Sequence, residues 1–193
     1  MFKIAVLAST NGTDLQAIID QIEAGNLPGI EITSVISNKE NCGALEKART
    51  HHIPDIFLDP SGKSREQFDQ ELAEILQTQA VDLVVLIGYM RVLTPEFVRQ
   101  FPKKIINVHP SLIPKYCGKN FYGQSVHQAV LDNNETETGM TIHYVDEGVD
   151  TGEVILQKTC PIFPDDTPAT LKARVQELEK KHYPQVIFQL SKQ

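Results

Sequence analysis

The sequence predicts an α/β domain built on a mostly parallel sheet, with helices on both faces of the sheet. Short apolar runs alternate with segments whose apolar residues recur at helical spacing, and this alternation is typical of a wound parallel sheet. Four runs have the length and composition of buried strands: 3–8 (KIAVLA), 30–37, 82–88 and 104–108. Amphipathic helices are expected between them, at about 14–24, 42–51, 64–79 and 94–100.

The second half of the chain predicts a different strand arrangement. After a helix at 123–132, the runs TIHYV (141–145) and EVILQKT (153–159) flank the loop Asp146–Gly152. A loop this short suits an antiparallel hairpin better than a parallel crossover. With a last helix at about 167–190, we expect one Rossmann-like domain over residues 1–193 that ends in an antiparallel strand pair.

Composition limits the classes of function. The chain has 193 residues, enough for one domain with a sizeable core, and its formal charge of −7 argues against a nucleic-acid binder, which needs a basic face. No run approaches the roughly 18 apolar residues of a membrane span, so no membrane partner is expected. Cys42, Cys117 and Cys160 are odd in number and far apart, which predicts neither a disulfide framework nor a metal site. We expect a cytoplasmic protein.

The turn after the first strand is a candidate anion site. Asn11, Gly12, Thr13 and Asp14 connect this strand to a helix, and Thr13 followed by Gln16 matches a capping box with Thr13 as the N-cap. The free N–H groups and the positive dipole end of such a helix attract phosphates, and Gly12 lets the backbone approach an anion closely. A plain strand-to-helix turn with a good cap accounts for these residues equally well.

A second polar cluster is predicted where the 104–108 strand ends. Asn107 and His109 are two residues apart, so their side chains leave an extended strand on the same face. Acyl transfer to an amine forms a tetrahedral oxyanion, which an amide and an imidazolium can stabilise. Asp150, between Gly148 and Gly152, is the best candidate to keep His109 charged. A structural histidine and a solvated acidic loop remain the alternatives.

Longer motifs give the chain a resemblance to a known family. NVHPSLIPKY (107–116) resembles the signature of the folate-dependent formyltransferases. The segments DLVVLIGYMRVL (82–93) and HYVDEGVDTGEVILQ (143–157) are similar to those of the members that act on glycinamide ribonucleotide in purine biosynthesis. The resemblance covers essentially the whole chain. It implies transfer of a formyl group from 10-formyltetrahydrofolate to the amine of glycinamide ribonucleotide, without a metal.

The resemblance also implies a role for each matching residue. Asn107 and His109 would be the oxyanion donors, and Asp150 would keep His109 protonated and order a water that relays a proton. The phosphate and ribose of the acceptor would be held by six residues: Asn11, Gly12, Thr13, Asp14, Gln176 and Glu179. The folate would contact eight: Arg65, Met90, Arg91, Val92, Leu93, Asp146, Glu147 and Val149. Residues 1–100 would thus form a phosphate-binding half and residues 101–193 a catalytic and folate half.

Some positions depart from the family pattern. Thr10 and Asp14 stand where Gly and Asn are usual, and an Asp at this place repels a phosphate while leaving the backbone donors unchanged. The segment 117–130 is longer than the usual form, and His127 within it is interpreted as structural or at the edge of the site.

Other functions remain open at this point. Formyltetrahydrofolate deformylase, or another folate-dependent formyltransferase, would use the same three catalytic residues. A module that only binds a phosphorylated metabolite would have no reason to retain all of Asn107, His109 and Asp150. Either a monomer or a homodimer is compatible with the sequence.

Overall fold

Seven strands and six helices make up the computed structural model, which describes all residues from Met1 to Gln193. The strands are β1 (Phe2–Ala8), β2 (Ile30–Ser37), β3 (Asp55–Phe57), β4 (Leu83–Ile87), β5 (Ile105–His109), β6 (Glu137–Tyr144) and β7 (Val154–Pro161). The helices are α1 (Thr13–Glu23), α2 (Gly43–Thr50), α3 (Arg65–Thr78), α4 (Pro95–Gln100), α5 (Gln124–Asp132) and α6 (Pro168–Leu190). None of the helices combines the length and the apolar composition that crossing a bilayer requires.

The strands form one sheet in the order β3-β2-β1-β4-β5-β6-β7. The first five strands of this order are parallel, and β6 pairs antiparallel with both β5 and β7. This confirms the predicted α/β fold with its antiparallel pair. The chain winds outward from β1 in one direction through β2 and β3, and in the other from β4. Ligands of such folds bind at the carboxyl ends of the two strands where the direction reverses, here β1 and β4.

Apolar side chains on the two faces of the sheet form two cores. One face packs under α1, α2 and α6 through residues such as Val6, Leu15 and Ile187. The other packs under α3 and α4 through residues such as Leu7 and Phe68. Strands buried on both faces are continuously apolar, which is why the runs in β1 and β4 could be recognised from sequence.

Three local features differ from the sequence prediction. The short edge strand β3 was not predicted, and β6 starts at Glu137 rather than at residue 141. The capping box at Thr13 was wrong, because Gly12 is the N-cap residue of α1 and no side chain caps this helix. Gly12 has a φ of 66°, a left-handed conformation that glycine adopts without steric cost. A Cβ at Gly12 would lie 2.9 Å from Cβ of Ala44, so the turn also needs glycine for space.

One hydroxyl group joins the last helix to the centre of the sheet. The side chain of Tyr183 in α6 is fully buried. Its hydroxyl lies 3.0 Å from the carbonyl oxygen of Leu86 in β4 and 3.1 Å from that of Ile106 in β5, and it donates to both. Leu86 precedes the last residue of β4, whereas Ile106 is the second residue of β5 and comes directly before Asn107. Tyr183 therefore fixes the spacing of β4 and β5 next to Asn107.

Replacing Tyr183 with Phe should lower the free energy of unfolding by about 1–3 kcal/mol, because it removes the only donor that bridges the two carbonyls. Equilibrium unfolding in urea would measure the loss. Tyr122→Phe is the matched control, since Tyr122 is 60% exposed and its variant should unfold like the parent. Equal unfolding free energies for both variants would contradict this role of Tyr183.

Candidate active site

The polar cluster predicted at the end of β5 is present in the structure. Asn107 and His109 lie two residues apart at the carboxyl end of this strand, and Asp150 lies close to His109. The oxygen Oδ2 of Asp150 is 3.5 Å from Nδ1 of His109. The three residues that the sequence singled out therefore meet in one place.

His109 is buried and its two ring nitrogens face different partners. Nε2 lies 2.8 Å from the carbonyl oxygen of Tyr116, and since a carbonyl only accepts, Nε2 carries a hydrogen and donates it. Nδ1 faces Asp150 at 3.5 Å, which is longer than the roughly 2.8 Å of a charge-assisted hydrogen bond. This geometry fits a neutral imidazole whose Nδ1 is free to accept a proton.

The charge state of His109 differs from the sequence expectation. Burial lowers the pKa of His109, and although Asp150 and the Tyr116 carbonyl raise it, the net pKa lies below its usual value. Asp150 thus acts in the expected direction but is outweighed by desolvation. The neutral imidazole is therefore favoured in the ligand-free protein, and the Asp150 carboxylate lies beside it, where it can stabilise the charged form.

Asp150 is fixed by contacts from three segments. Its Oδ2 accepts a hydrogen bond of 2.9 Å from the amide of Gly118, and its Oδ1 lies 3.6 Å from Nε2 of His143. Burial by itself would raise the pKa of Asp150, but His143, His109 and the Gly118 amide together hold it below its usual value. Asp150 also has a φ of 57°, a conformation rare for residues other than glycine and one that is often found at functional sites.

His143 belongs to the site and was missed in the sequence. It lies directly opposite Asn107 in the antiparallel pairing of β5 with β6. Its Nδ1 donates to the carbonyl of Tyr144 at 2.8 Å, so its Nε2 is an acceptor and lies 3.2 Å from Nδ2 of Asn107. The contact with His143 therefore orients the Asn107 side chain with its NH2 group towards His143. The second N–H of that group stays free. The cross-strand register that brings the two residues together could not be known from the sequence.

The candidate anion turn lies at the carboxyl end of β1. The first N–H groups of α1 have no partners within the helix, so they are available to a ligand. Asn11 is exposed, whereas Asp14 is buried and its Oδ1 has no hydrogen-bond partner. Helix α6 packs against α1 and carries Gln176, which is partly buried, and Glu179, which is buried. The acceptor residues predicted from both ends of the chain thus lie on two neighbouring helices.

A serine connects this turn to the segment that follows β4. Ser9 is buried, and its hydroxyl donates to Oδ1 of Asn38 at 2.6 Å while it accepts from the amide of Met90 at 3.0 Å. Thr10, at a position where the family usually has Gly, packs on Gly88, where a Cβ would lie 2.4 Å from the Thr10 hydroxyl. The two segments predicted to hold the acceptor and the folate are therefore in direct contact.

The candidate folate residues after β4 fall into two groups. Met90 and Val92 are 45% and 49% exposed, so their side chains are available to a ligand. Leu93 packs in the core, and the guanidinium of Arg91 lies 4.0 Å above the ring of Phe68. For Leu93 only the backbone is therefore left to face a ligand, whereas the half-buried Arg91 side chain is held against Phe68. Arg65 is exposed at the first residue of α3.

The loop between β6 and β7 provides the remaining candidates. Asp146, Glu147 and Val149 are exposed, and Oδ1 of Asp146 accepts from the Gly148 amide and the Thr151 hydroxyl. Glu147 pairs with Arg99 at 3.0 Å. Asp146 thus shapes the loop that carries Asp150, while Val149 presents an apolar surface to solvent.

His127 and the longer segment before it lie beside the cluster. His127 is buried in α5, its Nδ1 has no hydrogen-bond partner, and burial followed by the charges of Lys172 and His109 lowers its pKa to about 4. A neutral buried imidazole agrees with the interpretation of His127 as structural. No group of three or more His, Cys, Asp and Glu side chains has an arrangement that could hold a metal ion.

The His109–Asp150 contact predicts a measurable titration. Replacing Asp150 with Asn removes an influence that raises the pKa of His109, so this pKa should fall further below its usual value. Histidine ring signals followed by NMR against pH would detect the change. Glu147→Gln neutralises an exposed carboxylate of the same loop and should leave the His109 titration as in the parent. An unchanged or raised His109 pKa in Asp150→Asn would contradict the assignment.

Comparison with known proteins agrees with the fold. The family model described as formyl transferase matches residues 2–187. Phosphoribosylglycinamide formyltransferase of Haemophilus influenzae is 44% identical over 97% of this chain and 86% of its own length. The trifunctional purine biosynthetic protein adenosine-3 of Drosophila pseudoobscura pseudoobscura is 42% identical over 98% of this chain, which is 14% of that longer protein.

A solved structure gives the same result. Glycinamide ribonucleotide transformylase 1 from Symbiobacterium toebii has a TM-score of 0.90 and 38% identity, and the match covers 97% of this chain and 86% of that one. The chain therefore belongs to the formyl transferase family and, within it, to the phosphoribosylglycinamide formyltransferases.

Proposed function

We propose that the chain transfers the formyl group of 10-formyltetrahydrofolate to the amine of glycinamide ribonucleotide, a step of purine biosynthesis, with Asn107, His109 and Asp150 at the reaction centre. The observation that carries the proposal is the arrangement of these three side chains at the carboxyl end of β5, one strand from the reversal point between β1 and β4. The names of the relatives support the choice of reaction.

The acceptor is held between α1 and α6. Its phosphate binds the N–H groups of the turn Asn11–Asp14, where the positive end of the α1 dipole also acts. Gln176 and Glu179 are three residues apart on α6 and therefore reach the phosphate and ribose from one face of that helix. Since these groups come from both ends of the chain, the proposed phosphate site is not confined to residues 1–100.

The folate lies between the segment after β4 and the loop after β6. Met90 and Val92 contact it through exposed side chains, and Arg91 and Leu93 through their backbone. Asp146, Glu147 and Val149 form the opposite wall, and Arg65 is an exposed cation available to an anionic part of the folate. All of these groups belong to one chain, so a monomer is sufficient for the proposed site.

The chemistry begins when the acceptor amine attacks the formyl carbon. The free N–H of Asn107 donates to the oxyanion that forms, and neutral His109 takes up the proton that the amine loses, either directly or through a water. Asp150 stabilises the resulting imidazolium, whose positive charge in turn favours the nearby oxyanion. When the intermediate collapses, the proton passes to N10 of the folate and tetrahydrofolate leaves. The sequence of steps needs no covalent intermediate with the chain.

The placement of the two ligands contributes to the rate as well. Bringing an amine and a formyl donor together in one complex removes the entropic cost of a bimolecular encounter. Ser9 fixes the acceptor turn and the folate segment relative to each other through its two hydrogen bonds. The compartment we propose is the cytoplasm, where free thiols such as those of Cys42 and Cys160 stay reduced.

The proposed reaction can be followed through loss of 10-formyltetrahydrofolate by absorbance, with and without glycinamide ribonucleotide. We expect turnover that requires the acceptor and that falls by about 100- to 1,000-fold in Asn107→Ala, which lacks one oxyanion donor. His109→Ala should fall strongly as well. Equal turnover without the acceptor would identify the chain as a deformylase, and ligand binding without any turnover would identify a binding module.

His143 should act on the reaction chiefly through Asn107, because its Nε2 lies 3.2 Å from Nδ2 of Asn107 and 3.6 Å from Oδ1 of Asp150. His143→Phe removes the acceptor that orients the Asn107 amide, and we expect kcat to fall by about 10-fold or more, with a smaller change in KM. The double variant Asn107→Ala/His143→Phe should be no slower than Asn107→Ala, because the orientation of an absent amide has no effect. Additive losses in the double variant would show that His143 acts independently.

A further inference from the structure

The contact between α1 and α6 contains two buried carboxylic acids that the proposed chemistry does not use. Asp14, the second residue of α1, is 7% exposed, and Glu179 in α6 is 6% exposed. Oδ1 of Asp14 has no hydrogen-bond partner. Acidic side chains are almost never this buried without a partner. Asp14 is the last residue of the turn Asn11–Asp14 and thus part of the proposed phosphate site, and Glu179 is close enough to interact with it across the α1–α6 contact.

The charged groups around the pair do not neutralise both acids. Lys180 and Lys172, both in α6, are the cations that act on the pair, and Nζ of Lys180 is already 2.6 Å from Oε1 of Glu177. Tyr183 adds a phenol that is fully buried and un-ionised. On the α2 side of α1, Glu23 contacts His51, nine residues further along the helix than Asp14. Burial therefore disfavours the charged form of both carboxyls, and the charge of Asp14 disfavours that of Glu179 further.

The direction of the pKa shifts agrees with this geometry. Burial raises the pKa of Asp14 to about 6, with Lys180 opposing the change. Burial also raises the pKa of Glu179 well above its usual value, and the negative charge of Asp14 raises it further. Since ionisation of one acid disfavours ionisation of the other, the two titrate together. One proton is therefore retained by the pair well above the pH at which exposed carboxyls lose theirs.

We propose that Asp14 and Glu179 share a proton when a phosphomonoester binds at the N-terminus of α1, and that this proton sets the affinity for the acceptor. The inference rests on the proposed function, which places that phosphate at Asn11–Asp14. A phosphomonoester carries about −1.5 to −2 charges at neutral pH. Two ionised carboxyls beneath it would repel it, whereas a pair that retains one proton repels it less. Asp14 is thus a specificity-determining residue.

The test compares Asp14 with a neutral side chain of the same shape. Affinity for glycinamide ribonucleotide is measured by calorimetry, without folate, between pH 5.5 and 8.5 for the parent and for Asp14→Asn. The phosphate of the ligand titrates in the same range in both proteins, so the ratio of the two Kd values isolates the carboxyl pair. Asp20→Asn removes an exposed charge from the same helix and is the matched control.

We expect the ratio of the parent Kd to the Asp14→Asn Kd to grow by about tenfold between pH 6 and pH 8, as the parent loses the shared proton. Asp20→Asn should follow the parent at every pH. A ratio that stays constant within twofold would overturn the proposal. Loss of turnover together with this pH-dependent binding would instead overturn the proposed function and leave the carboxyl pair in place.

Thermal unfolding provides a readout that needs no ligand. A carboxyl whose pKa is raised by folding contributes stability below its unfolded pKa, and that stability is lost as pH rises through the folded value near 6. Asp14→Asn should therefore melt higher than the parent by roughly 3 °C or more at pH 7.5. The difference should shrink as pH falls towards about 4 and below, where the carboxyls become protonated in the unfolded state as well. Melting profiles that stay parallel across this range would also overturn the proposal.

Discussion

The ionised carboxylate of Asp150 is the constraint around which the catalytic cluster is arranged. It joins β5 through His109, β6 through His143 and the segment after Tyr116 through the Gly118 amide. Holding a buried charge requires donors or nearby cations. The Gly118 amide donates to the carboxylate, and each imidazole becomes a cation beside it when it takes up a proton. The left-handed backbone of Asp150 costs about 1–3 kcal/mol, which the surrounding hydrogen bonds offset. Because Asp150 belongs to the loop between β6 and β7, these contacts also fix the position of that loop.

The sheet order explains how one crevice can serve both ligands of the proposed reaction. β1 and β4 are neighbours, although 74 residues separate the end of one from the start of the other, and the segments that follow them meet at Ser9 and Met90. Tyr183 holds β4 and β5 together just below, through the carbonyls of Leu86 and Ile106. A shift of the turn after β1 would therefore displace the segment after β4. Through Tyr183 it would also displace β5, which carries Asn107. Rigid strands rather than loops set the distance between the reacting groups.

Much of this arrangement could be predicted from the sequence, because its signals are local. The buried strands are continuous apolar runs, and Asn107 and His109 share a face through the two-residue period of a strand. What could not be predicted depends on tertiary pairing. The register that puts His143 opposite Asn107, the three-residue edge strand β3 and the left-handed Gly12 in place of a Thr13 cap are all set by contacts distant in sequence. The burial of Leu93 and the lowered pKa of His109 could not be predicted either, since both depend on which parts of the chain pack around these residues and not on their local motifs.

The two sides of the crevice show how one fold gives carboxylic acids opposite properties. Asp150 is more than half buried, yet an amide and two imidazoles favour its charged form and its pKa falls. Asp14 and Glu179 are buried to a greater extent, Asp14 Oδ1 lacks a donor, and the pKa of each rises. The difference lies in the donors supplied and not in burial alone. A permanent negative charge is useful beside an imidazole that must become positive, and a retained proton is useful beneath a phosphate. The contacts of Asp150 thus keep a charge for the proposed proton transfer, and the lack of a donor at Asp14 keeps a proton at the proposed phosphate site. The two functions are carried by different carboxylic acids.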